Sequence, residues 1–166
     1  MRGQPQVYDY LSKLGISFDY YEHPEAPTIE IASQFYRGEG TMLCKNLFFR
    51  NHKGNRHYLV IMDSRHAMDI HDIEHRLHQG KLSFASPERM MKYLGVKPGS
   101  VSLFTLINDV NHEVTLFVDK ELRNAEKVSF HPNDNTASLV ISNADMMKFI
   151  QHIGNPYEFL DLYAEE

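Results

Sequence analysis

A run of ten residues, Thr41 to Arg50 (TMLCKNLFFR), constrains the fold more than any other stretch of the chain. Its aromatic, alternating character is that of a buried strand, yet Lys45 and Asn46 stand side by side where a core would take two apolar groups. An ammonium in such a strand is costly unless it is paired or opens on a cleft. Either the strand borders a site, or it is an edge whose lysine stem snorkels to water.

The flanking punctuation surrounds this strand with short elements. Gln6 to Leu14 carries Val7, Tyr10, Leu11 and Leu14 on one helical stripe, with Gly15 placed to end it. Ile16 to Tyr21 reads as a strand, broken by His23-Pro24 and Ala26-Pro27. Thr28 is placed to cap a helix with Ile31, Ala32 and Phe35 on its apolar face, ended by Gly38 and Gly40. Past Thr41–Arg50, a glycine-bearing loop leads into Arg56 to Met62, so the two strands form a hairpin, central because Leu59, Val60 and Ile61 are apolar in succession. A helix from Asp69 to Gln79 and a strand from Lys81 to Ala85 follow. The next helix starts at Ser86-Pro87-Glu88 and packs through Met90, Met91 and Leu94. Gly95 to Ser100 (GVKPGS) is the most strongly marked loop, either a tight turn or a close backbone approach to a ligand. Strands are expected at Val114–Val118, Val128–His131 and Ser138–Ile141. Asn143 is placed to cap a last helix with Met146, Met147 and Ile150 buried, and the acidic, aromatic tail from Pro156 packs over the body or a partner. Together these predict one α+β (mixed α/β) domain over 1–166, with a strongly curved mixed sheet and about five helices.

Charge and cysteine content narrow the function. The net charge of −5 by itself argues against a dedicated nucleic-acid binder. Residues 45–97 nevertheless carry ten Lys or Arg against five Asp or Glu, while the segments before and after are acidic. Such a zone steers a phosphate-bearing partner. The single cysteine, Cys44, excludes an internal disulfide and reads as a small buried hydrophobe in a reducing compartment. No apolar run approaches a membrane span, which points to a cytoplasmic protein. No Gly-rich dinucleotide turn, phosphate loop or serine elbow is present, and no cofactor is implied.

Three constellations compete. His71, His75 and His78 share one side of a helix at spacings zinc accepts, but no HExxH accompanies them, and a solvated flank accounts for them without metal. His131, in Phe130-His131-Pro132-Asn133, ends a strand at a polar turn, and a histidine side chain, with an unperturbed pKa of about 6.5, can serve as acid or base. The third combines Lys45 and Asn46, the Gly95–Ser100 loop and His131.

The segments TMLCKNLFFRNHKG, LSFASPERMMKYLGVKPGSVSLFTLIND, VTLFVDKEL and VSFHPNDNTASLVIS carry that third set. In order and separation they resemble the YbaK and prolyl-tRNA synthetase associated (editing) domain superfamily, from about His23 to Ile150. The likeness is strongest to its free-standing branch, which hydrolyses Ala-tRNA(Pro). The resemblance implies trans-editing of mischarged tRNA(Pro), with Cys-tRNA(Pro) deacylation or a non-catalytic tRNA-binding or amino-acid-sensing module as alternatives, and prolyl-tRNA synthetase or an elongation factor as further partners. It assigns Lys45 as the essential residue, Asn46 to the terminal adenosine, the Gly95–Ser102 loop to the aminoacyl ester and His131 to the pocket. Ile31, Phe35 and Met42 are candidates for the pocket wall by nearness in sequence. Where the family reads Thr-Pro-Phe, this chain has Ser102, Leu103 and Phe104, which leaves the loop less fixed. With a reference pKa of about 10.4, Lys45 suits a charge-stabilising cation better than a base. Backbone N–H groups at Gly99 and Ser100 would assist it, with water as the nucleophile and no metal.

Overall fold

The computed structural model describes residues 1–25 and 39–163. The helix expected from Thr28, with Ile31 and Phe35, lies outside the described residues. Among the described residues are four α-helices, α1 (Pro5–Lys13), α2 (Ile70–Leu77), α3 (Pro87–Leu94) and α4 (Asn143–Ile153). The strands are β1 (Asp19–Glu22), β2 (Thr41–Asn51), β3 (His57–Asp63), β4 (Leu82–Phe84), β5 (Val114–Asp119), β6 (Lys127–Phe130), β7 (Ala137–Ser142) and β8 (Tyr157–Leu160). Short 3-10 turns cover Leu103–Asn108 and Lys120–Asn124. No helix among the described residues is long and apolar enough to cross a membrane.

Local chemistry explains most of the boundaries. The Asp69 carboxylate accepts from the N–H groups of His71 and Asp72 to start α2, and the Ser86 hydroxyl accepts from Arg89 to start α3. Gly95 ends α3 at φ +67°, a conformation that glycine adopts without strain. Four expectations need correction. Ser142, not Asn143, caps α4, its extended backbone aiming Oγ at the Asp145 N–H, while the Asn143 amide donates to the Leu122 carbonyl. Met91 is 51 % exposed, because the inward stripe of α3 runs through Met90 and Leu94 instead. Strand β1 begins at Asp19, since Ile16 turns into the core ahead of it. The tail forms β8, paired parallel to β5, which alternation could not reveal because only Phe159 of its four residues is buried.

One curved mixed sheet orders its strands β1-β7-β6-β2-β3-β5-β8, with β4 also paired to β2. Strands β2 and β3 form the expected antiparallel hairpin, and β3 runs parallel to β5. The main core, under α1, α3, α4 and the first 3-10 turn, includes Phe48, Leu94, Phe104, Phe130 and Phe149. The opposite face of β2, β3 and β5 packs through Phe49, Tyr58 and Met62 against Ile73 and Leu77 of α2 and Leu162 of the tail.

The sheet opens along one edge of β2. That edge pairs with β6 only over Thr41–Leu43 and with β4 only over Phe49–Asn51. Between them, among the described residues, Cys44 to Leu47 have no strand partner on that side, and the Phe48 carbonyl accepts from Ala85 N–H just beyond β4. An unpaired stretch inside a sheet leaves backbone donors and acceptors to be met by something other than a strand.

Candidate functional site

Lys45 and Asn46 sit in this gap, directed to opposite faces by the strand's two-residue period. Asn46 shares its face with Cys44 and Phe48, on the main-core side, where the Gly95–Ser100 loop is anchored by Val96 and Val101. Its amide nitrogen lies 3.5 Å from the Cys44 carbonyl, and its buried Oδ1 has no hydrogen-bond partner among the described residues. Such an orphan costs about 1–3 kcal/mol, so a ligand that satisfied it would bind with that cost removed.

Lys45 takes the other face. It is half-buried, and its ammonium donates to the His66 carbonyl at 2.5 Å, so it does not project into open water. The turn carrying that carbonyl is braced on every side. Ser64 N–H donates to Leu43 O, His66 N–H to Asp63 O, and the His66 ring stacks on Tyr163 at 3.5 Å and 10°. Asp63 is fully buried, its carboxylate accepts from both Nε and Nη2 of Arg65, and its backbone N–H donates to the Asp119 carboxylate. Burial alone would raise the Asp63 pKa, but the Arg65 bonds and charge hold it below the ordinary carboxylate value. Burial, then the nearby charge of Asp119, pushes the Tyr163 phenol upward. Sequence reading found none of these braces; Asp63-x-Arg65 at the end of β3 was the one local signal.

The second half of the site lies across the gap, at the exits of α3 and β6. Lys97-Pro98-Gly99-Ser100 closes a turn through Ser100 N–H to Lys97 O, with Gly99 at φ +91°, the pattern of a type II turn. Ser100 N–H is thereby used, whereas Gly99 N–H has no acceptor among the described residues. A Cβ at Gly99 would lie 3.2 Å from Asn135 Nδ2, which places this loop against the turn that follows His131. Asn135 in turn donates to Glu25. The His131 Nδ1–H donates to the Ala137 carbonyl at 3.1 Å, so the neutral ring carries its lone pair on Nε2. His23, buried and bonded to Ser138 Oγ at 2.8 Å, lies with its ring 6.3 Å from that of His131.

The sequence candidates therefore separate into groups. Gly99 and His131 lie on the two facing turns, which meet through Asn135, and Asn46 lies on the same side of the sheet. Lys45 reaches the gap from the opposite face, bonded to His66 and to neither turn. Ser102 is fully buried, and its hydroxyl accepts from Phe104 N–H to start the 3-10 turn. Met42 is half-buried against the main core and borders a depression of about 570 Å³ with Asp63 and Arg65. Cys44 is buried, and burial pushes its thiol far upward, away from nucleophilic character. The histidine trio does not converge: His78, left-handed beyond the end of α2 at Leu77, holds its ring 6.0 Å from that of His75, while His71 faces Glu74. Among the described residues no group of three His, Cys, Asp or Glu is set to hold a metal ion.

A family described as the aminoacyl-tRNA editing domain matches residues 23–149. Over 162 residues the chain is 36 % identical to the prolyl-tRNA editing protein ProX of Acetoanaerobium sticklandii, covering 98 % of this chain and 99 % of that protein. It is 27 % identical over 148 residues to the prolyl-tRNA synthetase associated domain-containing protein 1 of Danio rerio, with 88 % and 80 % covered. A solved structure described as a candidate trans-editing enzyme for prolyl tRNA synthetase superposes with a TM-score of 0.73 at 20 % identity, covering 99 % of this chain and 100 % of that one, which establishes a shared fold.

Proposed function

The chain belongs to the aminoacyl-tRNA editing domain family, and on that premise we propose that it is a free-standing deacylase that hydrolyses the ester of mischarged Ala-tRNA(Pro). The observation that carries the reading is the interrupted edge of β2, where an ammonium and an unsatisfied amide oxygen stand at a gap in an otherwise paired sheet. Lys45 supplies positive charge to the negative oxygen that forms when water attacks the acyl carbon, while the Gly99 turn, on the Asn46 side of the gap, lines the acyl pocket. The carbon–oxygen bond to the terminal ribose then breaks, the ribose oxygen takes a proton, and alanine and intact tRNA leave. Asn46 Oδ1 accepts from the terminal adenosine. His131, its ring fixed through Nδ1, shapes and orients the acyl pocket. Proline is rejected because its ring overfills a pocket sized for a methyl group.

Measuring ester loss from tRNA(Pro) charged with alanine, cysteine, serine, glycine or proline tests the reading. Alanine is expected to be cleared fastest and proline spared. Faster loss of cysteine would assign the sister activity, and no loss from any of them would leave a binding module.

Replacing Asn46 separates binding from folding. Asn46→Val removes the orphaned oxygen and suits a strand, so urea denaturation is expected to show unchanged or higher stability, by up to about 1 kcal/mol. Its KM for Ala-tRNA(Pro) is expected to rise about tenfold. A wild-type KM would remove Asn46 from substrate binding.

The basic excess also has a place. The β2–β3 loop and the α2–β4 loop border a groove of about 490 Å³ that includes Lys53, Arg56 and Lys81 and no carboxylate. None of these three forms an ion pair among the described residues. Lys45 is six residues from the end of β2, roughly 20 Å, a length the unpaired 3′ end of a tRNA can bridge. Binding of tRNA(Pro) is accordingly expected to weaken with added salt, each lost cation lowering the log–log slope by about one. A salt-independent Kd would rule out this footprint.

A further inference from the structure

We propose that Gln4 is a positioning residue that fixes the separation of the two turns facing the acyl pocket, and so sets the size discrimination of the site; this rests on the deacylase reading above. Gln4 lies in residues 1–22, ahead of the stretch matched by the family. Its backbone N–H donates to the Pro132 carbonyl at 3.0 Å, next to His131. Its side-chain Nε2 donates to the Gly95 carbonyl at 3.0 Å, at the start of the loop that carries Gly99. Its Oε1 accepts from Asn133 and from Asn108, each at 2.9 Å, and Asn108 also donates to Leu94 O at the end of α3. One side chain is thus bonded to Gly95, which leads into the Lys97–Ser100 turn, and to Asn133 in the turn after His131.

The approach is tight enough to exclude slack. A Cβ on Gly3 would fall 2.4 Å from the Pro132 carbonyl oxygen, and Gly3 holds φ +107°, so only glycine lets the segment lie this close. Asn133 is itself held in the left-handed region at φ 61°, a conformation its bond to Gln4 helps to maintain. Pro5 opens α1 directly after Gln4, and Val7 and Leu11 bury that helix in the main core. The clamp is therefore anchored to the body of the protein and not to a loose terminus. Gln4 touches no substrate atom; it acts through Gly95, Asn133 and Pro132.

Three variants test this. Gln4→Ala removes every side-chain bond, Gln4→Met keeps the length without polar atoms, and Gln4→Glu keeps an acceptor for Asn108 and Asn133 but loses the donor to Gly95. The expected result is a fall of about tenfold in the ratio of kcat/KM for Ala-tRNA(Pro) to that for Pro-tRNA(Pro) in the first two, with Gln4→Glu between them and wild type. A merely structural role would reduce the active fraction and scale both substrates equally, so an unchanged ratio overturns the proposal. Amide hydrogen exchange supplies a readout independent of turnover. In Gln4→Ala, Ser100 and Thr136 are expected to exchange about tenfold faster together while β3 is unchanged. Loosened turns in a protein that cleaves no ester would keep the clamp and sink the deacylase reading. Exchange unchanged in both turns would sink the clamp whatever the enzyme does.

Discussion

Lys45→Ala is expected to lower single-turnover hydrolysis of Ala-tRNA(Pro) by about 100- to 1,000-fold, the range seen when one donor to a developing oxyanion is removed. The fold should survive. Lys45 is half-buried and contributes one bond, to the His66 carbonyl, while Phe48 and Phe49 secure β2 on both faces and β3 pairs with it from Cys44 to Arg50. The stability loss is therefore expected to be about 1 kcal/mol, visible as a small shift in a urea midpoint with an unchanged slope. Lys45→Arg separates charge from shape: a planar guanidinium keeps the charge but cannot reproduce a single ammonium reaching one carbonyl, so partial activity is the expected result. Near-normal turnover by Lys45→Ala would take this residue out of the mechanism, and with it the reading of the β2 gap as the reactive centre.

The largest effect on stability is expected at Phe104. Its side chain is fully buried and meets Phe130 and Phe149 edge-on, at 5.6 Å and 70° and at 5.3 Å and 71°. Through these rings it joins the 3-10 turn after the Gly95–Ser100 loop to the end of β6 and to α4. Truncation to alanine removes apolar contact and two aromatic pairs and leaves a cavity, at a cost of about 3–5 kcal/mol. For a chain of this size that is roughly 10 °C in Tm. Phe104→Leu retains most of the volume and is expected to cost under about 2 kcal/mol. Because Phe104 stands behind His131 and the loop, the alanine variant should also lose activity. Measurement well below the melting range would separate that loss from unfolding. A loss under about 1 kcal/mol would mean that neighbouring side chains close the cavity.

Much of this architecture was legible in residue chemistry. The hairpin of β2 and β3 could be read because buried strands need aromatic and β-branched runs and their loop carries Gly54. Helix starts at Asp69 and Ser86 could be read because a cap is a short-range hydrogen bond between neighbours in sequence. The cap expected at Asn143 falls one residue earlier, because the extended backbone angle of Ser142, which residue type does not encode, aims its hydroxyl at the helix. The β8 strand went unread because backbone pairing with β5 holds it and only one side chain is buried.

For the candidate site, the sequence by itself determined which groups are chemically unusual: a lysine and an asparagine inside a greasy strand, a Lys-Pro-Gly-Ser turn, a histidine at a strand end. Those are properties of residues and their immediate neighbours. The tertiary structure alone decided what each can reach. Pairing to β6 stops at Leu43 and pairing to β4 begins at Phe49, so an opening exists at Lys45 and Asn46. The pleat sends those two side chains to opposite faces, and contacts distant in sequence, from His66, Tyr163 and Gln4, fix the surroundings. Such contacts depend on how strands and loops far apart along the chain come to lie side by side, and no local spacing encodes that.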